Sequence, residues 1–240
     1  MKMKNILYIL LLIYSFSSYA QTIKGIITTN PKKSIGDETV LSDKAKKPFI
    51  YSFIYSNKIS LQELISEETT TIDTIIVHHD EHKELKMETT KALIRPFKTI
   101  HFKDYKSNTY RFESSRKNRY LDTENTSIID EIPSYEWVLS KDTLIVTGYM
   151  CKKATTDRTL FGRRQHITAW YCDEIPINDG PMAFNGLPGL ILQIEIGEMN
   201  VIKFEQLKIF KDETVQIKEP KNEAPLLSIN EYQLQVMNKN

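Results

Sequence analysis

Residues 149–172 read YMCKKATTDRTLFGRRQHITAWYC, two alternating runs on either side of Phe161-Gly162. Glycine tolerates the positive φ that a two-residue hairpin loop demands, so the chain is expected to reverse at this dipeptide. With Leu160 opposite Arg163, facing residue numbers sum to 323, so Lys153 meets Trp170, Asp157 meets His166 and Cys151 meets Cys172. The cysteine rung falls at a non-hydrogen-bonded position, where Cα atoms lie about 4.5 Å apart. That spacing is at the close end of the disulfide range. A one-residue slip of register would instead put the two thiols on opposite faces.

Working outward, the same period-two pattern recurs. Thr22 to Thr29, Phe49 to Asn57 and Ile72 to His78 read as strands. So do Thr99 to Tyr105, Asn108 to Ser114 and Arg119 to Asp122. Tyr135 to Leu139 and Thr143 to Tyr149 are expected to flank a turn at Ser140-Lys141-Asp142, and Val201 to Phe210 to pair with Thr214 to Lys218. Ser60 to Glu68 stays open between a helix capped by Ser60 and Glu63 and a short strand. Asn30 to Lys47 is polar and lysine-rich, the composition of a mobile arm. Ser228 with Glu231, then Leu234 and Met237, predict a C-terminal helix. The expected fold is mainly β: one domain over residues 21–240, built as a single curved antiparallel meander with a short terminal helix.

The N-terminus reads as an export signal. Lys2 and Lys4 precede the apolar run Ile6 to Tyr14, and Ser18 and Ala20 place small side chains before Gln21. Cleavage is expected between Ala20 and Gln21, giving a periplasmic or secreted product. The apolar run is far shorter than the roughly 20 residues that span a bilayer. Gln21 is not a cysteine, so it offers no acceptor for lipidation. Removing Lys2 and Lys4 from the 32 basic residues leaves 30 against 31 acidic ones. That balance gives no electrostatic footprint for nucleic acid or an anionic membrane. In an oxidising compartment the chain's only two cysteines, Cys151 and Cys172, are expected to form a disulfide. Closing a loop of roughly 20 residues would then contribute about 3 kcal/mol. Oxidation would also remove the nucleophile from any cysteine catalysis with His166.

Residues 148–192 carry Gly148-Tyr149, Cys151, Lys153-Ala154, Gly162-Arg163, Ala169-Trp170, Glu174-Ile175-Pro176 and Gly180-Pro181. They close on Gly186-Leu187-Pro188-Gly189-Leu190-Ile191. In that order these elements resemble the GLPGLI family of exported Bacteroidetes proteins, with Trp137 upstream matching its tryptophan strand. The resemblance implies export and a family without an established activity, so it supplies no catalytic residues. By analogy, such meanders are similar to the half-open barrels of periplasmic lipoprotein carriers. Cys172 departs from the family pattern, so the cross-link is expected to be particular to this branch of the family.

Pro188-Gly189 predicts a type II turn that brings Leu187 and Leu190 together. From there Leu190, Leu192, Ile194 and Ile196 leave as a half-buried strand, while Met182, Phe184 and Leu187 are placed to plug one end of the sheet. The glycines there fit either a fold-defining corner or a loop whose open N–H groups bind a partner. The cluster His78-His79-Asp80-Glu81-His82 would put His78 and His82 one turn apart on a helix as metal ligands, but it follows a strand and reads as a turn. No catalytic constellation, phosphate-binding loop or cofactor motif stands out. The function expected is binding of a peptide or lipid-like ligand on a curved sheet. Its rival is assembly with an envelope partner through sheet edges or the GLPGLI loop.

Overall fold

The computed structural model describes residues 21–31, 47–67, 71–77, 87–118, 120–198 and 200–238. The expected export signal with Ala20, residues 32–46 of the expected arm, and His78 and His82 lie outside the described residues, while Asn30 and Pro31 belong to the first strand. The strands are β1 (Gln21–Pro31), β2 (Phe49–Ser56), β3 (Ile59–Leu64), β4 (Thr71–Val77), β5 (Met87–Leu93), β6 (Pro96–Asp104) and β7 (Thr109–Lys117). They continue with β8 (Thr123–Glu131), β9 (Val138–Val146), β10 (Tyr149–Leu160), β11 (Arg163–Cys172), β12 (Leu190–Ile196), β13 (Asn200–Lys211) and β14 (Leu226–Leu227). One helix, α1 (Ile229–Asn238), ends the described chain.

Twelve strands form one open sheet in the order β14-β8-β7-β6-β3-β2-β1-β13-β12-β11-β10-β9, and β4-β5 makes a separate hairpin. Two runs of mostly consecutive antiparallel strands, β1 to β8 and β9 to β13, are joined where β1 pairs with β13. Only β14 runs parallel to its neighbour, β8. The β10–β11 register is the one read from the sequence, with Leu160 opposite Arg163 and Lys153 opposite Trp170. Phe161 and Gly162 both take positive φ at its turn.

One open alternative is settled and three local expectations change. Residues 60–64 belong to strand β3, because Asn57 and Lys58 at positive φ fold it directly onto β2. Residues 120–122 form a turn, since the Asn118 side chain accepts from the N–H groups of Tyr120 and Asp122; the strand follows at Thr123. Strand β9 runs unbroken through Ser140 to Asp142, absorbing the irregularity in a bulge opposite Lys152 to Ala154. Its turn falls at Thr147-Gly148, again at positive φ. Residues 214–218 are not a strand but part of an irregular strap.

That strap crosses the outer face of the sheet. Thr22 Oγ1 donates to Glu213 O, Val215 N to Ser56 Oγ, and Glu223 N and Ala224 N to Ser127 Oγ. Arg111 pairs with Glu113 and Glu219 beneath it. The strap then pairs along β8 as β14 and turns into α1. Ser228 and Glu231 cap that helix reciprocally, as the sequence predicts. On the inner face, Ile23, Ile27, Phe53 and Phe204 pack with Ile167, Ala169, Leu192 and Ile194. The Phe53 and Phe204 rings meet edge to face at 5.0 Å.

Candidate functional site

The loop 173–189 folds into one end of the curved sheet and buries Ile175, Phe184 and Leu187 fully against it. What fastens it there is polar. The Lys103 ammonium, with no side-chain exposure, pairs with Asp179 and donates to the carbonyls of Gly180 and Phe184 at 2.8 and 3.2 Å. Tyr105 Oη donates to Asp179 at 2.7 Å. Gln62 donates to Gly180 O and accepts from Met182 N. Burial pushes the Lys103 ammonium below the usual lysine range, opposed by the Asp179 charge beside it. These groups are locked away from solvent and serve to hold the plug.

The GLPGLI segment is part of that plug. Gly189 N donates to Leu187 O, and Leu190 N reaches Ile175 O, so Pro188-Gly189 forms a tighter three-residue turn than the type II turn expected. Ile191 N is held by Asp179 O and Gly186 N by Asn178 O, leaving these donors engaged within the chain. A Cβ on Gly189 would lie 2.2 Å from Cys172 O, and its φ is +157°. This geometry favours the fold-defining corner over an open binding loop. Trp137 closes the corner from outside by donating Nε1–H to Asn185 O at 2.9 Å.

Above the plug the sheet curls around a hollow of about 880 Å3. Strands far apart in the sheet order line it together. His101, Tyr110, Phe112 and Ile128 from β6 to β8 face Thr156, Arg158, Ile196 and Ile202 from β10, β12 and β13. Phe184 and Met182 of the plug also line it, as do Ile229, Tyr232 and Gln233 of α1. The helix reaches the hairpin tip from the opposite edge. Phe161 N donates to Gln233 Oε1 at 3.1 Å, and the Phe161 and Tyr232 rings meet at 6.1 Å.

A polar cluster is set into this mostly apolar wall. His101 Nδ1 and Tyr110 Oη lie 2.9 Å apart. Burial, reinforced by the Lys103 charge, pushes His101 down to about 3, so its ring is neutral at physiological pH. Arg158 sits over the Phe184 ring at 4.8 Å and donates to Gln165 Oε1 at 2.9 Å, with Tyr135 beside it. Tyr135 in turn stacks on Phe184 at 5.3 Å. Burial raises both tyrosine hydroxyls above their ordinary range, keeping them neutral donors.

Cys151 and Cys172 occupy the rung that continues Lys152 opposite Tyr171, and both are buried free thiols. Burial first, then the neighbouring Cys172, pushes Cys151 up to about 12; burial also raises Cys172. Neither is a thiolate nucleophile at neutral pH. His166 pairs with Asp157 near the tip, where both are exposed and border the hollow, 15 residues from Cys151 in sequence. Among the described residues no cluster of His, Cys, Asp or Glu has metal-holding geometry. The sequence reading placed Phe184 and Leu187 correctly but missed the hollow's cluster. Arg158 and His101 alternate in strands like any other polar residue, and no motif marks them.

A family model described as a protein of unknown function (Porph_ging) matches residues 157–193, all of the motif-bearing stretch but its first nine residues. No curated protein matches the chain. A solved structure of PNGF-II is similar at 17% identity and TM-score 0.49, covering 91% of this chain and 32% of that one. A second PNGF-II structure, from another space group, covers 87% of this chain and 31% of that one at TM-score 0.47 and 17% identity. The chain thus spans about a third of the length of those structures. Among the described residues no helix is long and apolar enough to cross a membrane.

Proposed function

We propose that this chain is an exported, non-catalytic protein of the cell envelope that holds an apolar, lipid-like or peptide ligand in the hollow of its curved sheet. The hollow itself carries the reading. Its volume of about 880 Å3 falls within the roughly 300–1,000 Å3 of small-molecule sites. Its walls combine isoleucine and phenylalanine with a few convergent polar groups, the composition such sites use. The likeness over residues 157–193 and the ordered motifs from Gly148 to Ile191 support membership of the GLPGLI family. The first twenty residues support export, with cleavage between Ala20 and Gln21. In that compartment Cys151 and Cys172 close a disulfide across β10 and β11, beside the plug.

The test is titration with the neutral fluorophore N-phenyl-1-naphthylamine. Saturable one-site binding, lost when Ala183→Trp fills the hollow while circular dichroism stays native, is the expected result. Binding that never saturates, or that survives the filled variant unchanged, overturns the reading.

One observation favours a second reading, assembly through a sheet edge. Strand β9 ends the sheet and exposes Val138, Leu139 and Ile145, the last at 70%. Long apolar edges invite strand pairing with another chain. Analytical ultracentrifugation of Ile145→Lys against the native protein decides it: a change of mass supports assembly at this edge, and equal masses reject it.

A further inference from the structure

Building on the ligand reading above, we infer that the hollow selects an anionic amphiphile, a single alkyl chain ending in a carboxylate or phosphate whose head sits on Arg158. Two other buried cations have carboxylate partners: Lys103 pairs with Asp179, and Arg111 with Glu113 and Glu219. Arg158 differs. It lines the hollow, yet no carboxylate among the described residues lies within ion-pair distance of it. The neighbouring Asp157, which also borders the hollow, is taken by Arg164 and His166. Glu136 stands exposed at the rim without an ion pair to the guanidinium.

The guanidinium is also pre-oriented. Gln165 takes its Nε–H, and the Phe184 ring supports its face. Five N–H donors in a fixed fork leave the remainder free to grip two oxygens of one head group. Placing it in a mostly apolar wall raises the value of such a contact, because little water competes. Beside the head site, the neutral hydroxyls of Tyr110 and Tyr135 add donors of the same polarity. Away from it, Phe112, Ile128, Ile196 and Ile202 offer a surface for a hydrocarbon tail. A cationic head would meet Arg158 with like charge, so the site discriminates by sign.

The experiment is displacement of N-phenyl-1-naphthylamine from the full mature chain by dodecanoate, dodecyl phosphate, dodecanol and dodecyltrimethylammonium, all below their micelle concentrations. One or both anions are expected to bind at least about tenfold tighter than dodecanol, the scale of one charge-assisted contact. Arg158→Gln should erase that advantage while leaving dodecanol unchanged, and Arg158→Lys should retain part of it. Arg163→Gln, at the hairpin tip, should change nothing. Which anion is preferred separates a fatty acid from a phospholipid-like source. Equal binding of anions and dodecanol by the native protein, or equal losses for both in Arg158→Gln, overturns the inference while leaving the apolar hollow standing. Failure of every chain to displace the probe overturns both.

Discussion

Acidification should loosen this fold through His101, by an amount its surroundings set. The ring is buried on β6 and meets Lys103 on its own strand, Tyr110 on β7 and Tyr51 on β2. Its folded value of about 3 lies below the unfolded value of 6.5. A base with a depressed folded value contributes stability that is present above the unfolded value and lost as pH falls toward the folded one. Between about pH 7 and about pH 5 the unfolded chain takes up a proton that the folded one refuses, which costs about 2 kcal/mol. Urea denaturation of the native protein and of His101→Gln at both pH values measures it. Gln keeps a partner for Tyr110 but does not titrate. The lowered carboxylates Asp142, Asp157 and Asp173 contribute to both proteins and cancel in the comparison. The native protein should lose about 2 kcal/mol more than the variant over this interval. Equal losses would refute the placement of His101 as a neutral, desolvated ring.

Other expectations concern the plug and its neighbours. Lys103→Met leaves Asp179 buried without its cation and should cost about 3–5 kcal/mol, with Lys103→Met/Asp179→Leu less destabilised; denaturant midpoints decide the order. Gly189→Ala drives a methyl into Cys172 O and should abolish folding, whereas exposed Pro188→Ala should cost little; thermal melts of the two variants check this. Protein from an oxidising compartment, alkylated before reduction, should show no labelled cysteine by intact mass if the 151–172 bridge forms. Deleting residues 228–240 should speed release of a bound probe, because α1 forms part of the hollow's wall; stopped-flow dissociation reads it.

Much of the fold was legible because β periodicity is a local signal. The β10–β11 register followed from one glycine and alternation on either side of it, and the capping box of α1 from four residues. The errors fall where local pattern is weak. Strand β8, TENTSIIDE, has polar residues at positions facing the strap and so lacks clean alternation. The strap itself resembles a strand in composition, but its N–H groups go to side chains of the outer face. The joining of β1 to β13 is a long-range pairing that no local signal encodes. At the site, the plug was visible through its glycines, prolines and flanking apolar residues. The Lys103–Asp179 pair was not, since its partners stand 76 residues apart in sequence and each is ordinary in its own segment.

The central claim is that the curved sheet encloses a site for an apolar-tailed molecule, and native mass spectrometry of the protein recovered from the cells that make it tests it most directly. A discrete added mass, released by organic solvent and absent from Ala183→Trp, is the predicted result. A spectrum of bare protein, together with a filled variant that likewise carries no added mass, would contradict the account.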